Sequence, residues 1–146
     1  MTPEQFRALV MPFADFVRGR ALDAGLEGDL NKTYPPGGPA FQGVFRACRE
    51  AIAAGWMCNR EAGGIRFGRV IKPGAEMHDV VGPHHRHPNG EIDMIMPLDP
   101  GAKFDGRGSG WMVYGPDSAH SPTVSGGRAI VLYLLPQGAI EFTAGR

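Results

Sequence analysis

After Glu61 the chain breaks into short apolar runs held apart by Gly and Pro: "IRFGRVI", "EIDMIMPL", "GWMVYGP", "AIVLYLLP" and "AIEFT". Short alternating runs at close spacing are the strands of an antiparallel sandwich or barrel. Gly (22) and Pro (13) are both high among 146 residues, which favours a turn-rich β protein over a helical bundle.

The first sixty residues have a different period. Residues 2 to about 24 predict one helix. Thr2 can cap it, Pro3 suits its first position, and Gln5 completes a T-x-x-Q capping box. Phe6, Leu9, Val10, Phe13 and Val17 form one apolar stripe, and Gly25 and Gly28 end the region. "NKTYPPGGPA" is a breaker segment. A second helix follows from about Pro39 to Met57, with Phe41, Val44, Phe45, Cys48 and Ile52 on its stripe. The expectation is a single domain over 1–146, mainly β. A two-helix segment (1–60) packs on a β-barrel (61–146), and both stripes cover a core. A chain of 146 residues is long enough for one domain.

Composition excludes some classes. Lys+Arg and Asp+Glu both count 15, so the balance gives no sign of a basic nucleic-acid-binding face. No stretch approaches the ~20 apolar residues of a membrane span. The start, "MTPEQFRALVMPFADF", lacks a basic n-region followed by an apolar run, so a cytoplasmic protein is expected. Cys48 and Cys58 form no zinc-ribbon spacing and read as reduced thiols.

Chemistry concentrates in "HHRHPNGE", His84 to Glu91. On a strand, His85 and His87 share one face, and His84 and Arg86 take the other. "PNG" then turns the chain and brings Glu91 to the start of the next strand. Two imidazoles and a carboxylate can converge on one metal ion. Asp93 and Ile95 follow Glu91 on its inward face by parity, while Met94 and Met96 take the opposite one. Asp93 is therefore a candidate catalytic acid. His78 and His84 lie outside the pattern and read as surface residues or partners of the site.

About thirty residues on, "GPDSAH" is a Gly/Pro turn leading to His120, which is expected to open a strand running to "SPTV". With H-x-H-x-x-x-E at His85, His87 and Glu91, this resembles the cupin superfamily, whose fold is a jelly-roll (RmlC-like) β-barrel. In the second cupin motif His120 keeps the metal-ligand place. Gly115 stands where Pro is usual, Asp117 where Gly is usual, and Val124 where Asn is usual. The resemblance implies a divalent transition metal (Fe, Mn, Zn, Ni or Co) on His85, His87, Glu91 and His120. Such a set leaves open positions for substrate. It also implies a homodimer. The same residues could instead serve metal-free acid/base chemistry.

"HRHPNGEIDMIMPLD" and "GWMVYGPDSAHSPTVSGGRAIVLYLLPQGAIEF" more specifically resemble the 4-hydroxylaminobenzoate lyase family. The resemblance implies conversion of 4-hydroxylaminobenzoate to 3,4-dihydroxybenzoate and ammonia, a step in 4-nitrobenzoate catabolism; Glu91, His85, His87 and, by strand parity, Asp93 are the candidate catalytic residues. A small aromatic acid needs a cation, and Arg pairs best with a carboxylate. Arg66 or Arg69 is the candidate; they point to opposite faces of one strand. Arg107 lies in a Gly-rich loop expected to be flexible. Trp111 and Tyr114 either stack on the substrate ring or pack the barrel against the helices. Two other readings remain: another metal cupin enzyme, a dioxygenase or isomerase on a small acid, and a non-catalytic cupin sensor of a ligand or metal.

Overall fold

The N-terminal capping box forms as the sequence dictates. Gln5 N–H donates to Thr2 Oγ1 at 3.1 Å, and Thr2 N–H donates to Gln5 Oε1 at 2.8 Å. It starts helix α1, Pro3–Val17. The computed structural model describes residues 2–58, 60–62, 65–69, 73–81, 85–135 and 141–142. Of these, 60–62, 65–69, 73–81, 85 and 141–142 are described by their backbone alone.

The helical segment holds three helices, not the two expected. α1 stops at Val17, because Arg18 is extended and Gly19 takes φ +74. A new helix, α2 (Ala24–Thr33), starts where the Asp23 side chain accepts from Leu26 N–H at 3.0 Å. Gly25 and Gly28 lie inside α2 and do not end it. Leu26 and Leu30, one turn apart, bury its inner face. α3 (Pro39–Ala53) begins on Pro39 and buries Phe41, Val44, Ala47, Cys48 and Ala51. Cys48 and Cys58 are buried free thiols, and burial, then the neighbouring Cys58, pushes Cys48 up to about 12. No helix among the described residues is long and apolar enough to cross a membrane.

The rest is β. The strands are β1 (Arg60–Ala62), β2 (Ile65–Arg69), β3 (Pro73–Val81), β4 (His85–His87), β5 (Glu91–Pro97), β6 (Lys103–Phe104), β7 (Gly110–Tyr114), β8 (Ser118–His120), β9 (Thr123–Leu134) and β10 (Glu141–Phe142). They form two antiparallel sheets. The larger runs β1-β2-β3-β9-β5-β7, with β6 also on β9, and the smaller runs β10-β4-β8. His120 closes β8 and does not open the next strand, which starts at Thr123.

β5 decides where the core and the site lie. Residues 91–96 are all buried, so the strand is covered on both faces. Ile92, Met94 and Met96 pack with Trp111, Ile130 and Leu132 against Phe6, Phe13, Leu30, Phe41 and Val44 of the helices. Ile95 belongs to a second cluster with Phe104, Val124, Ala129 and Val131. Glu91 and Asp93 share the face of Ile95, as their parity requires. Their direct cross-strand neighbours are Tyr114 and Met112.

Candidate metal centre

The turn between β4 and β5 sets the relation between His87 and Glu91. Gly90 N–H donates to the His87 carbonyl at 3.1 Å, and Gly90 takes φ +84. A Cβ there would stand 2.6 Å from the Tyr114 carbonyl oxygen, so only glycine fits. His120 arrives from the other side. A turn with Ser118 N–H donating to Gly115 O at 3.2 Å leads into β8, and Asp117 occupies it at φ +65. That left-handed conformation is one glycine adopts without strain. Asp tolerates it, and here Asp117 is also ion-paired with Arg86. β8 then pairs with β4 in a register that sets Ser118 against His87 and His120 against His85.

Three side chains meet as a result. His87 Nε2 and His120 Nε2 are 3.0 Å apart. Glu91 Oε2 lies 3.2 Å from the first and 3.4 Å from the second. His87 is fully buried and Glu91 is 3% exposed. Two donors each about 2.1 Å from one ion sit about 3.0 Å apart at a right angle and about 3.4 Å apart at the tetrahedral angle. All three edges match that spacing. Glu91 Oε2 is buried and accepts no hydrogen bond from the described residues, despite the two nitrogens beside it. Atoms so placed point lone pairs at a common centre, and the donor set suits a divalent transition metal. His87, Glu91 and His120 therefore fit a metal site.

The surrounding charges are arranged around Glu91. Burial works to raise its pKa, but the neighbouring His120, His87 and Asp93 side chains outweigh burial and hold Glu91 below the usual carboxylate range. Asp93 is pushed well above it, by complete burial and then by the adjacent Glu91 charge. No donor satisfies either Asp93 oxygen among the described residues. Two buried carboxyls side by side push their pKa values apart, and here Glu91 takes the lower place and Asp93 the higher. His120 is raised to about 9: burial lowers it, and Asp105 and Glu91 more than reverse that.

The structure brings Tyr114 and Asp93 to the cluster with His87, Glu91 and His120. The Tyr114 and His120 rings are 4.4 Å apart, and the Tyr114 hydroxyl donates to Asp105. Trp111 is not at the site. It is 3% exposed and packs edge-on against Phe13 and Phe41, with its indole N–H donating to Tyr34 O at 2.9 Å. Its parity places it on the helix-facing side of β7, opposite Met94. Arg86 is on the outer side with Asp117, as strand alternation requires. Arg107 pairs with Glu27 at 3.1 Å. The His85, Arg66, Arg69 and His78 side chains and all of His84 lie outside the described residues; the β2 backbone sets Arg66 against Glu76 and Arg69 against Pro73.

Sequence reasoning missed Asp105. Its carboxylate accepts from His120 Nδ1 at 2.6 Å and from Thr123 N–H at 2.8 Å, besides Tyr114. These bonds hold it below the usual carboxylate range although burial raises it. The available signal was the Asp-Gly pair after a short apolar run, a hairpin-turn signature.

Comparison with known proteins places the chain in a family. A family model described as PnbB, 4-hydroxylaminobenzoate lyase, matches residues 8–142. A protein named 4-hydroxylaminobenzoate lyase from Nocardioides sp. (strain LMS-CY) is 32% identical over 160 aligned residues, covering 97% of this chain and 95% of that one. Another of the same name, from Pseudomonas putida, is 30% identical over 95% of this chain and 94% of its own length. No solved structure matches the chain. With nearly its whole length matched, the chain belongs to the 4-hydroxylaminobenzoate lyase family.

Proposed function

We propose that the chain is a carbon–nitrogen lyase converting 4-hydroxylaminobenzoate to 3,4-dihydroxybenzoate and ammonia. The observation that carries this reading is the convergence of His87 Nε2, Glu91 Oε2 and His120 Nε2 within 3.0–3.4 Å of one another, in a chain of this family. We further read the two curled sheets as a cupin barrel and His85, backbone-paired with His120, as a fourth ligand.

The reaction takes up one water overall. Heterolysis of the N–O bond releases the hydroxylamine oxygen as water. One water adds to the ring carbon ortho to nitrogen, and a second hydrolyses the imine at the nitrogen-bearing carbon. Ammonia leaves and tautomerisation gives the catechol. A divalent ion at His87, Glu91 and His120 supplies Lewis acidity toward the leaving oxygen. Glu91 and the imidazoles orient the reacting end of the substrate. Asp93, raised above the usual carboxylate range beside Glu91, is the candidate acid to protonate the departing oxygen. The benzoate carboxylate requires a cation, for which Arg66 or Arg69 remains the proposal.

The test is an anaerobic incubation with 4-hydroxylaminobenzoate, following ammonia and 3,4-dihydroxybenzoate together, before and after chelation. Equal release of both without oxygen is expected, separating the lyase from a dioxygenase. Loss on chelation with recovery on adding metal is expected. Absence of turnover by folded, metal-loaded protein refutes the substrate assignment.

A further inference from the structure

We propose that Asp105 is the positioning residue of this centre: it fixes His120 with Nδ1–H directed outward and Nε2 directed at His87 and Glu91. The proposal rests on reading the three residues as a metal site.

Asp105 sits at the tip of a two-residue hairpin. Phe104 N–H donates to Arg107 O at 2.8 Å and Arg107 N–H donates to Phe104 O at 2.9 Å. Asp105 and Gly106 both have positive φ, +47 and +80, the signature of a type I′ turn. Asn-Gly and Asp-Gly serve such a turn equally well. Backbone geometry therefore gives no reason to prefer a carboxylate here.

The contacts do. Oδ1 accepts from Thr123 N–H at 2.8 Å. Oδ2 accepts from His120 Nδ1 at 2.6 Å and from the Tyr114 hydroxyl. An Asn side chain has one accepting oxygen and one donating NH2. In either orientation its NH2 would face a donor. Only a carboxylate, accepting on both oxygens, satisfies all three partners at once. The turn is itself anchored, because Asp105 N–H donates to Thr123 O at 2.8 Å. The side chain is 14% exposed, so water is a poor substitute for a lost partner.

A carboxylate on the outer nitrogen of a metal-binding histidine fixes its tautomer and ring angle and raises its basicity. Tyr114 supports the carboxylate from the same side. This gives a role for its hydroxyl distinct from stacking on substrate.

The experiment compares wild type, Asp105→Asn and His120→Ala for zinc affinity, by competition with a chromophoric chelator. Histidine ring N–H signals of the zinc-loaded protein are recorded beside it. Asp105→Asn is expected to weaken zinc about 10- to 100-fold and to remove or shift upfield a low-field His120 Nδ1–H signal, while near-UV dichroism shows an intact fold. A merely structural residue moves the melting temperature and leaves the ring signal in place. Asp105→Asn binding zinc as tightly as wild type, with His120→Ala losing it, overturns the role of Asp105 alone. Wild type that binds neither zinc nor cobalt overturns the metal reading, and this proposal with it. Where Asp105→Asn does not fold, the wild-type spectrum decides. A low-field proton on Nδ1 of His120 supports the role, and a proton on Nε2 refutes it.

Discussion

Asn31 stands in for a missing strand, and replacing it by alanine tests how the site's outer wall is held. β7 lies at the end of the large sheet and, among the described residues, pairs only with β5. On its free edge the Asn31 amide takes the place of a neighbouring backbone. Nδ2 donates to Trp111 O at 2.9 Å, and Oδ1 accepts from Trp111 N–H at 2.9 Å. Asn31→Ala removes both bonds to Trp111, along with a third from Nδ2 to the Glu27 carbonyl at 3.1 Å, and leaves the part-buried Trp111 carbonyl and N–H without partners. Each such bond contributes about 1 to 1.5 kcal/mol net. Alanine recovers about 0.6 kcal/mol through its better helix propensity. The expected loss is about 1.5–2.5 kcal/mol, a large share of a typical domain's stability of about 5–15 kcal/mol. Urea unfolding of chelated protein measures it, since bound metal would add its own stabilisation. The midpoint should fall with no change in slope. Glu27, whose Oε1 accepts from Val113 N–H at 2.9 Å, clamps the same edge one turn away. Glu27→Ala and Asn31→Ala should therefore be non-additive. A loss below about 0.5 kcal/mol for Asn31→Ala would mean that water replaces the amide, and the argument for a side-chain clamp would fail.

Metal-free stability should depend on pH through His120, raised from 6.5 to about 9 against the opposing effect of burial. A raised folded pKa stabilises fully below 6.5 and the benefit is lost as pH rises through about 9; a melting temperature of the chelated protein that stays flat across this range contradicts the assignment. Because metal must displace that proton, zinc affinity should climb up to about tenfold per pH unit below His120's folded pKa, which competition titrations at several pH values will show or exclude. Gly90→Ala should destabilise by about 2–4 kcal/mol, combining left-handed strain with overpacking on the Tyr114 carbonyl, and should also weaken metal binding; wild-type melting would remove the steric argument. Glu91→Gln should abolish turnover and metal binding together while the protein stays folded, and activity within tenfold of wild type would refute its central place.

What the sequence disclosed follows the range over which each signal acts. His87 and Glu91 were legible because strand alternation and a Pro-Asn-Gly turn are local, and the same parity correctly separated Asp93 from Met94. The capping box at Thr2 and Gln5 was equally local. The break between α1 and α2 was not seen, because Gly25 and Gly28 read as breakers although Leu26 and Leu30 bury that helix against the sheet. Tertiary burial overrode helix propensity there. Trp111 was ambiguous because its neighbours in the chain do not say which face of β7 is covered. Asp105 was hidden for another reason: its turn was marked by Asp-Gly, but its partners lie 9, 15 and 18 residues away.

The strand that carries the site is enclosed from two sides by different parts of the fold. A strand bearing two carboxyls would normally leave one face to water. Here Phe6, Phe13, Leu30 and Phe41 cover the even-numbered face of β5 through Ile92, Met94 and Met96. The odd-numbered face turns to the other side, where Ile95 packs with Phe104, Val124 and Val131 and Asp93 is fully buried two residues from Glu91. That burial is the largest cause of the raised Asp93 pKa, ahead of the neighbouring Glu91 charge. The double burial of β5 thus has two sources, the helices on the even-numbered face and strand residues on the odd-numbered one, and it is the second that encloses Asp93 beside Glu91.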